Sequence, residues 1–354
     1  MAFNEVNKNT ISSLKADVKD ASEVRNFAQD GSGQAAIGIS IGDSPIEEAG
    51  LGVGASVSVN KITNNVTASI KDADIVADKL DYKTAINNIA YDKGVQVAGG
   101  LNVEYSKNWA SVGASAVANL LQNTVSAEMT NVSNGNNQNS IKEIGAIKNL
   151  ALSNLTQVGM GVSVGIAAGE KSKLAGMAAV TVNKVEDHVL SHVDNLTAYA
   201  QSLSVLAEDG VLEQGEAVNT YVTNLKSSGI DADGSEAMRI YGKSADVDFA
   251  VDFDKENPAS FDESGNLKTE DVYKTGDFKF NNKGNTIVGM AVSVAVKTAK
   301  DGAAAGVGVS HGSFDNTFDT QGKNSEIHLY DTSDKLLVGA EADSSIGNVA
   351  VGTA

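Results

Sequence analysis

Short stretches in which apolar and small polar residues alternate recur along the whole chain. The clearest are Gly54-Ala55-Ser56-Val57-Ser58-Val59-Asn60, Gly113-Ala114-Ser115-Ala116-Val117-Ala118-Asn119 and Gly176-Met177-Ala178-Ala179-Val180-Thr181-Val182-Asn183, with a looser copy in Gly306-Val307-Gly308-Val309-Ser310. Past the asparagine comes a second alternating run, as in Val66-Thr67-Ala68-Ser69-Ile70, Val125-Ser126-Ala127-Glu128-Met129 and Val189-Leu190-Ser191-His192-Val193. Ile37 to Ile41, Val162 to Ile166 and Val292 to Val296 supply another strand per unit, followed by short polar loops such as Glu170-Lys171-Ser172-Lys173. A period of two marks strands with one buried face. The β-branched residues are then expected inside, at Val57, Val59, Val66, Ile70, Val117, Val125, Val162, Val164, Ile166, Val180, Val182, Val189, Val193, Val292 and Val294. Gly and Ser would lie on the outer face.

These runs repeat. An apolar-any-Asn signature at Asn26, Asn88, Asn154, Asn282 and Asn348 steps by roughly sixty residues, with one double step whose midpoint falls near Asn219. A fixed period of this size means stacked supersecondary units, and the number of strands per unit suggests about three coils of a solenoid. Asparagine suits the corners, since it tolerates left-handed backbone and can ladder to itself. The expected fold is all-β, a right-handed parallel β-helix (β-solenoid), with an antiparallel β-roll as the alternative because the loops are short enough for hairpins. Solenoid repeats are expected over 1–208 and again over 285–354, with 209–284 a divergent acidic repeat or inserted loops. Neither end reads as a cap, so further repeats and a membrane anchor are expected outside this sequence.

Composition narrows the classes. The chain is 42% hydrophobic but only 5% aromatic, with 35 glycines in 354 residues, which suits thin stacked layers. A net charge of −18 opposes binding to phosphate backbones, so no nucleic-acid partner is expected. Cysteine is absent, which removes disulfides and thiolate metal sites and suits a secreted chain. Neither a signal peptide nor an apolar run long enough for a membrane helix is visible, so no direct membrane insertion is expected of this fragment.

Candidate chemistry is sparse. Asp252, Asp254, Glu256 and Glu263 carry calcium-loop spacing, but Asn257 stands where the loop needs glycine and Pro258 follows. Calcium is the one cofactor the pattern admits, against a plain acidic loop. His188 and His192, four apart on a strand, lack the glutamate of a metalloprotease helix and read as surface decoration. Glu186-Asp187-His188 reads as a polar turn rather than an acid/base set. Gly52-Val53-Gly54 and Gly159-Met160-Gly161 sit within strands, so a phosphate-cradle reading fails on context. The divergent segment alone combines Tyr221, Arg239, Tyr241, Phe261 and Tyr273 with many carboxylates. Aromatic and arginine anchors make it the expected ligand-binding surface, against the simpler reading of a small local core.

The cores "VGASVSVNKITNNVTASI" and "AGMAAVTVNKVEDHV", in units Leu14 to Ile70, Val76 to Met129 and Ile144 to Val193, resemble the repeats of large leukotoxin-like and haemagglutinin-like autotransporter passengers of anaerobic Gram-negative bacteria. The resemblance covers most of the chain outside the divergent segment. It implies type V secretion, a β-helical stalk exposed at the cell surface, and cell adhesion or virulence through host or bacterial surface glycans or proteins. It carries no catalytic residues, and no enzyme is expected. A secreted cytotoxin repeat is the alternative, which strongly apolar exposed segments would favour, though none stands out in the sequence. A glycan-active β-helix enzyme is the other, and would need clustered carboxylates in a groove.

Overall fold

A computed structural model describes residues 1–19, 23–44, 50–76, 85–107, 109–134, 144–209, 211–214, 238–241, 245–253, 278–281, 284–329, 335–342 and 344–354. Of the four strands within 211–281 only the backbone is described. The first rung holds β1 (Ala2–Leu14), β2 (Val18–Lys19), β3 (Glu23–Asp30) and β4 (Gly33–Ser44). The second holds β5 (Leu51–Val76), β6 (Ala85–Asp92) and β7 (Val95–Ser106), and the third β8 (Ala110–Ser133), β9 (Ile144–Ser153) and β10 (Thr156–Ala167). The fourth opens with β11 (Leu174–Asp209). Then come the excursion strands β12 (Val211–Gln214), β13 (Met238–Tyr241), β14 (Ala245–Phe253) and β15 (Phe278–Asn281), before the rung resumes in β16 (Thr286–Lys297). The fifth is β17 (Ala303–Leu329), β18 (Lys335–Glu341) and β19 (Ser345–Thr353).

Every ladder between rungs is parallel, so the fold is a parallel β-helix and not an antiparallel β-roll. Sheet I is wide and comprises β1, β5, β8, most of β11, and β17. The chain returns beneath it through sheet II (β3, β6, β9, the end of β11, β18) and then sheet III (β4, β7, β10, β16, β19). One repeat of about sixty residues therefore builds one flattened rung, not three coils. The reason is the length of the sheet I strand. β5 runs for 26 residues where a short-coiled solenoid would turn.

The wide strand is bent once, one residue in each of the second to fifth rungs entering the left-handed region: Asp72 (φ 48°), Asn131 (φ 54°), Asn195 (φ 54°) and Asn324 (φ 51°). Asn and Asp are the residues that take this conformation most readily. Their side chains also link rungs, Asn131 Nδ2 donating to Asp72 Oδ1 (2.7 Å) and Asn195 Nδ2 to Asn131 Oδ1 (2.9 Å). The asparagines that close the sequence runs, Asn60, Asn119 and Asn183, are not corners. They point inward from the middle of the wide strands.

The two halves of the rung are packed differently. Against sheet II, sheet I buries large side chains, including Ile70, Met129, Val193, Ile86, Ile147 and Val205. Against sheet III the inward positions are mostly small or polar, with Val117, Met177 and Ile287 as larger exceptions, and the facing expected from the sequence is reversed at most positions. Ser56, Ser58, Ser163, Thr181 and Ser293 are buried, whereas Val57, Val59, Val162, Val164, Ile166, Val180, Val182, Val292 and Val294 point outward. Val66, Ile70, Val117, Val125, Val189 and Val193 do face in. The cause is sheet spacing. A Cβ on Gly38 would lie 2.9 Å from the Val57 carbonyl oxygen, and one on Gly100 would lie 2.4 Å from Ser115 Oγ and 2.9 Å from Val117 Cγ2, so a larger inward side chain such as Val117 or Met177 fits only opposite a glycine, and a run of inward valines has no room.

The excursion leaves the ladder at Asp209 and returns at Asn285, whose backbone N–H donates to Asp209 Oδ2 (3.3 Å). β11 pairs directly with β17, and β10 with β16, so no extra rung separates them. β12 and β15 pair antiparallel at the base of the excursion, while β14 joins the edge of β17 opposite β11, and β13 joins β18.

Two substitutions test the reversed facing. Gly100→Val should overfill the gap and destabilise the fold by about 1–3 kcal/mol in chemical denaturation, while Val164→Asp, on the outer face, should lose no more than about 1 kcal/mol. Equal large losses in both would restore valines to the interior.

Candidate functional site

The narrow gap between sheets I and III sets what the outer surface carries. Because small residues take the inward positions, the alternate positions that point away are aliphatic. On sheet III these include Ile37, Ile39 and Ile41 of β4, Val97 and Leu101 of β7, Met160 of β10, and Val288 and Val296 of β16, from 36% to 76% exposed. Val158, Val162, Val164 and Ile166 fill the ridges between them. No outward position of β7, β10 or β16 carries a charge. On sheet I a second aliphatic band holds Leu51, Val53, Val112, Leu174, Val180, Val307 and Val309, all exposed. This band is bordered further along the same strands by polar side chains: Lys61 paired with Glu5 (2.9 Å), Gln122 bonded to Glu186 (2.7 Å), and Lys184 paired with Glu186. Exposed Trp109 stands at the turn between β7 and β8. Contiguous apolar surface with a polar rim is the kind of surface that makes the sheet I band the candidate contact site.

A second feature lies inside. Where sheets II and III meet beneath sheet I, Asp30 of the first rung, Asp92 of the second, and Asp187 and Asp209 of the fourth are buried, Asp187 pointing in from sheet I. Lys8 reaches Asp30 (3.1 Å), and Asn64 Nδ2 donates to Asp30 (2.9 Å) and Asp92 (3.3 Å). Asn123 Nδ2 and Asn285 Nδ2 each donate to Asp187 at 2.9 Å, and Ser153 adds its hydroxyl. Burial pushes the Asp92 carboxyl up to about 7 and that of Asp187 up to about 6, with the neighbouring carboxylates adding to both. Asp92 Oδ1, Asn64 Oδ1 and Asn123 Oδ1 are buried with no donor among the described residues. A proton on Asp92 gives this acceptor-rich seam a donor. Asp187 is thus no part of a surface turn, because it lies inside β11 while Glu186 and His188 point out. Alternation from Val185 to Val189 was the sequence signal that places it inside.

Glu104 is a further buried acid. Its side chain fills the space left by Gly42 and Gly54, neither carboxylate oxygen has a hydrogen-bond partner among the described residues, and burial raises its pKa. Lys148 is buried on the far side of sheet II, which pulls it down to about 8. His188 and His192 project outward, and His192 Nε2 lies 3.2 Å from Asp319 Oδ2.

Of the residues that the sequence marks for ligand or calcium, Tyr221, Asp254, Glu256, Phe261, Glu263 and Tyr273 lie outside the described residues. Arg239 and Tyr241 in β13 and Asp252 in β14 are placed by backbone only. Sequence reasoning missed the aliphatic faces because it turned the valines inward. Comparison with protein-family models, with curated proteins and with solved structures gave no match.

The seam predicts a pH dependence. Both carboxyls titrate above the ordinary 3.8 in the fold, so their contribution to stability is fully present below that value and is lost as pH rises through about 6 and 7. Asp92→Asn should raise stability at pH 8 by up to roughly 4 kcal/mol and flatten denaturation midpoints between pH 4 and 8. An unchanged pH profile would mean that Asp92 is ionised in the fold.

Proposed function

We propose that this chain is a segment of the surface-exposed passenger of a large secreted bacterial adhesin, a stalk that works by contact and not by catalysis. The observation that supports it most is the aliphatic band on sheet I, repeated rung after rung and bordered by charged and polar side chains. Such a band gives affinity at its centre and orientation at its rim. Aliphatic side chains without hydrogen-bonding groups suit a protein surface better than a glycan. The resemblance of the repeats to autotransporter passengers supports the same reading, with display outside the cell and continuation into further repeats.

Exposed aliphatic faces also favour a second reading, a cytotoxin repeat that engages membranes. The two separate by experiment. The purified chain should bind host or bacterial cells saturably, and Val180→Lys with Val307→Lys should weaken that binding tenfold or more, since two ammonium groups would be desolvated in the contact (on the order of 1–3 kcal/mol). Binding indifferent to both substitutions would remove the band as the adhesive surface. Leakage from neutral vesicles at the same concentrations would favour the cytotoxin.

A further inference from the structure

Parallel sheets are as a rule covered on both faces, and their strands then carry near-continuous aliphatic residues. Sheet II obeys the rule within this chain. Its residues pointing away from the solenoid interior, Ile89, Tyr91, Leu150, Leu152 and Leu206, are at most 2% exposed, and β12 of the excursion lies against β9. Sheet III carries the same kind of outward residues, and none of the described residues covers them.

We infer that the outer face of sheet III is the interface with a second copy of this chain, the two faces packed sheet on sheet about a two-fold axis. Three observations commit the face to this occupant. Its size is sufficient: four strands of 12 residues and one of 9, at about 3.3 Å per residue and about 4.8 Å between strands, give roughly 900 Å², against about 800 Å² per partner in a standard stable interface. Its charge is suitable. Two copies each bearing −18 repel one another, and across the five strands alternation puts one charged residue, Asp43 near the end of β4, at an outward position, so the meeting need not desolvate or oppose any carboxylate along β7, β10, β16 and β19. Its relief is self-matching, because the in-register ladder sets aliphatic ridges at one spacing on every rung, and a second copy offers the same spacing. The sheet I band, rimmed by Lys61, Lys184 and Glu186, lacks this neutrality and stays exposed in such a pair. This inference does not rest on the adhesive reading, which concerns sheet I.

Sedimentation equilibrium of the whole chain across micromolar concentrations, at low and high salt, tests it. A dimer is expected, tightened by salt as the −18 charges are screened. Val97→Lys with Met160→Lys should raise the dissociation constant on the order of a hundredfold without changing the far-ultraviolet spectrum, whereas Val180→Lys with Val307→Lys should leave the dimer intact. Should the double variant fail to fold, Met160→Lys alone, at an exposed position, supplies the same comparison. A monomer at every concentration, or a dimer indifferent to the sheet III substitutions, overturns the inference. Capture of a monomeric chain by neutral phosphatidylcholine vesicles, lost in the sheet III variant, would also overturn it by making lipid the occupant. Loss of cell binding with the dimer intact would count only against the adhesive reading.

Discussion

The rest of the structure depends on one repeated hydrogen-bonding unit, the inward asparagine of the wide strand. Asn4, Asn60 and Asn119 each donate to the amide oxygen of the next rung's asparagine, at 3.0, 3.0 and 2.8 Å. The same amides, with Asn183, also reach across the gap to backbone carbonyls of sheet III at Ala35, Val97, Val158 and Val288. Each such bond is worth only about 1 kcal/mol net, so the ladder does not dominate stability. Its effect is on register. It holds two sheets at a spacing where inward positions are mostly Gly, Ala and Ser and larger side chains such as Val117 and Met177 lie opposite glycine, so a slip of one residue would turn consecutive valines into a gap with no room for them. The ladder stops at the fifth rung, where Gly312 takes the asparagine's place.

From that spacing follows the asymmetry of the rung. The half closed by sheet II is wide enough for Ile70, Met129 and Val193 to pack on Ile86, Ile147 and Val205, so it holds a conventional aliphatic core. The half closed by sheet III buries little apolar area and is held by backbone ladders and small polar side chains. The carboxylate seam lies at the step between them. Asn285, the return point of the excursion, enters the seam directly: its side chain accepts from the Leu155 N–H at 2.8 Å and donates to Asp187. The excursion is thereby spliced into one rung without breaking the ladders on either side.

Much of this was legible in the sequence. The sixty-residue period, the alternating strands and the all-β parallel class follow from residues such as Val53 to Asn60 and their copies, because stacking is the only way such strands bury a face. The facing of the narrow half was not. Period two says that Ser58 and Val59 lie on opposite faces, and hydrophobicity alone assigns the valine inward. Sheet spacing decides otherwise, and spacing is a property of two segments distant in sequence, as Gly38 and Val57 show from the first to the second rung, and Ser58 and Gly99, forty-one residues apart, within the second. The number of coils per repeat failed for a related reason. Asparagine signals a corner in many loops, yet Asn60 is a mid-strand ladder residue and the bend falls at Asp72, which carries no local signature beyond its residue type. The buried carboxylates were hidden by the same habit, since Asp187 beside Glu186 and His188 looks like a turn until the strand is known to run through it.

The reversal also relocates what can be recognised. In a solenoid with valines inside, specificity must come from loops, and the acidic excursion would be the natural place to look. Here the sheets themselves carry exposed aliphatic surface. An aliphatic face with no charge along its central strands has little directional preference, so it discriminates poorly between partners and is best satisfied by a surface of its own geometry. An aliphatic band edged by Lys61, Lys184 and Glu186 can discriminate, because a misaligned partner would bury one of those charges without its counter-ion. Two surfaces built from one repeat therefore suit two tasks, assembly on the neutral side and selective contact on the rimmed side. The difference between them arises from which residues follow the asparagine along the wide strand.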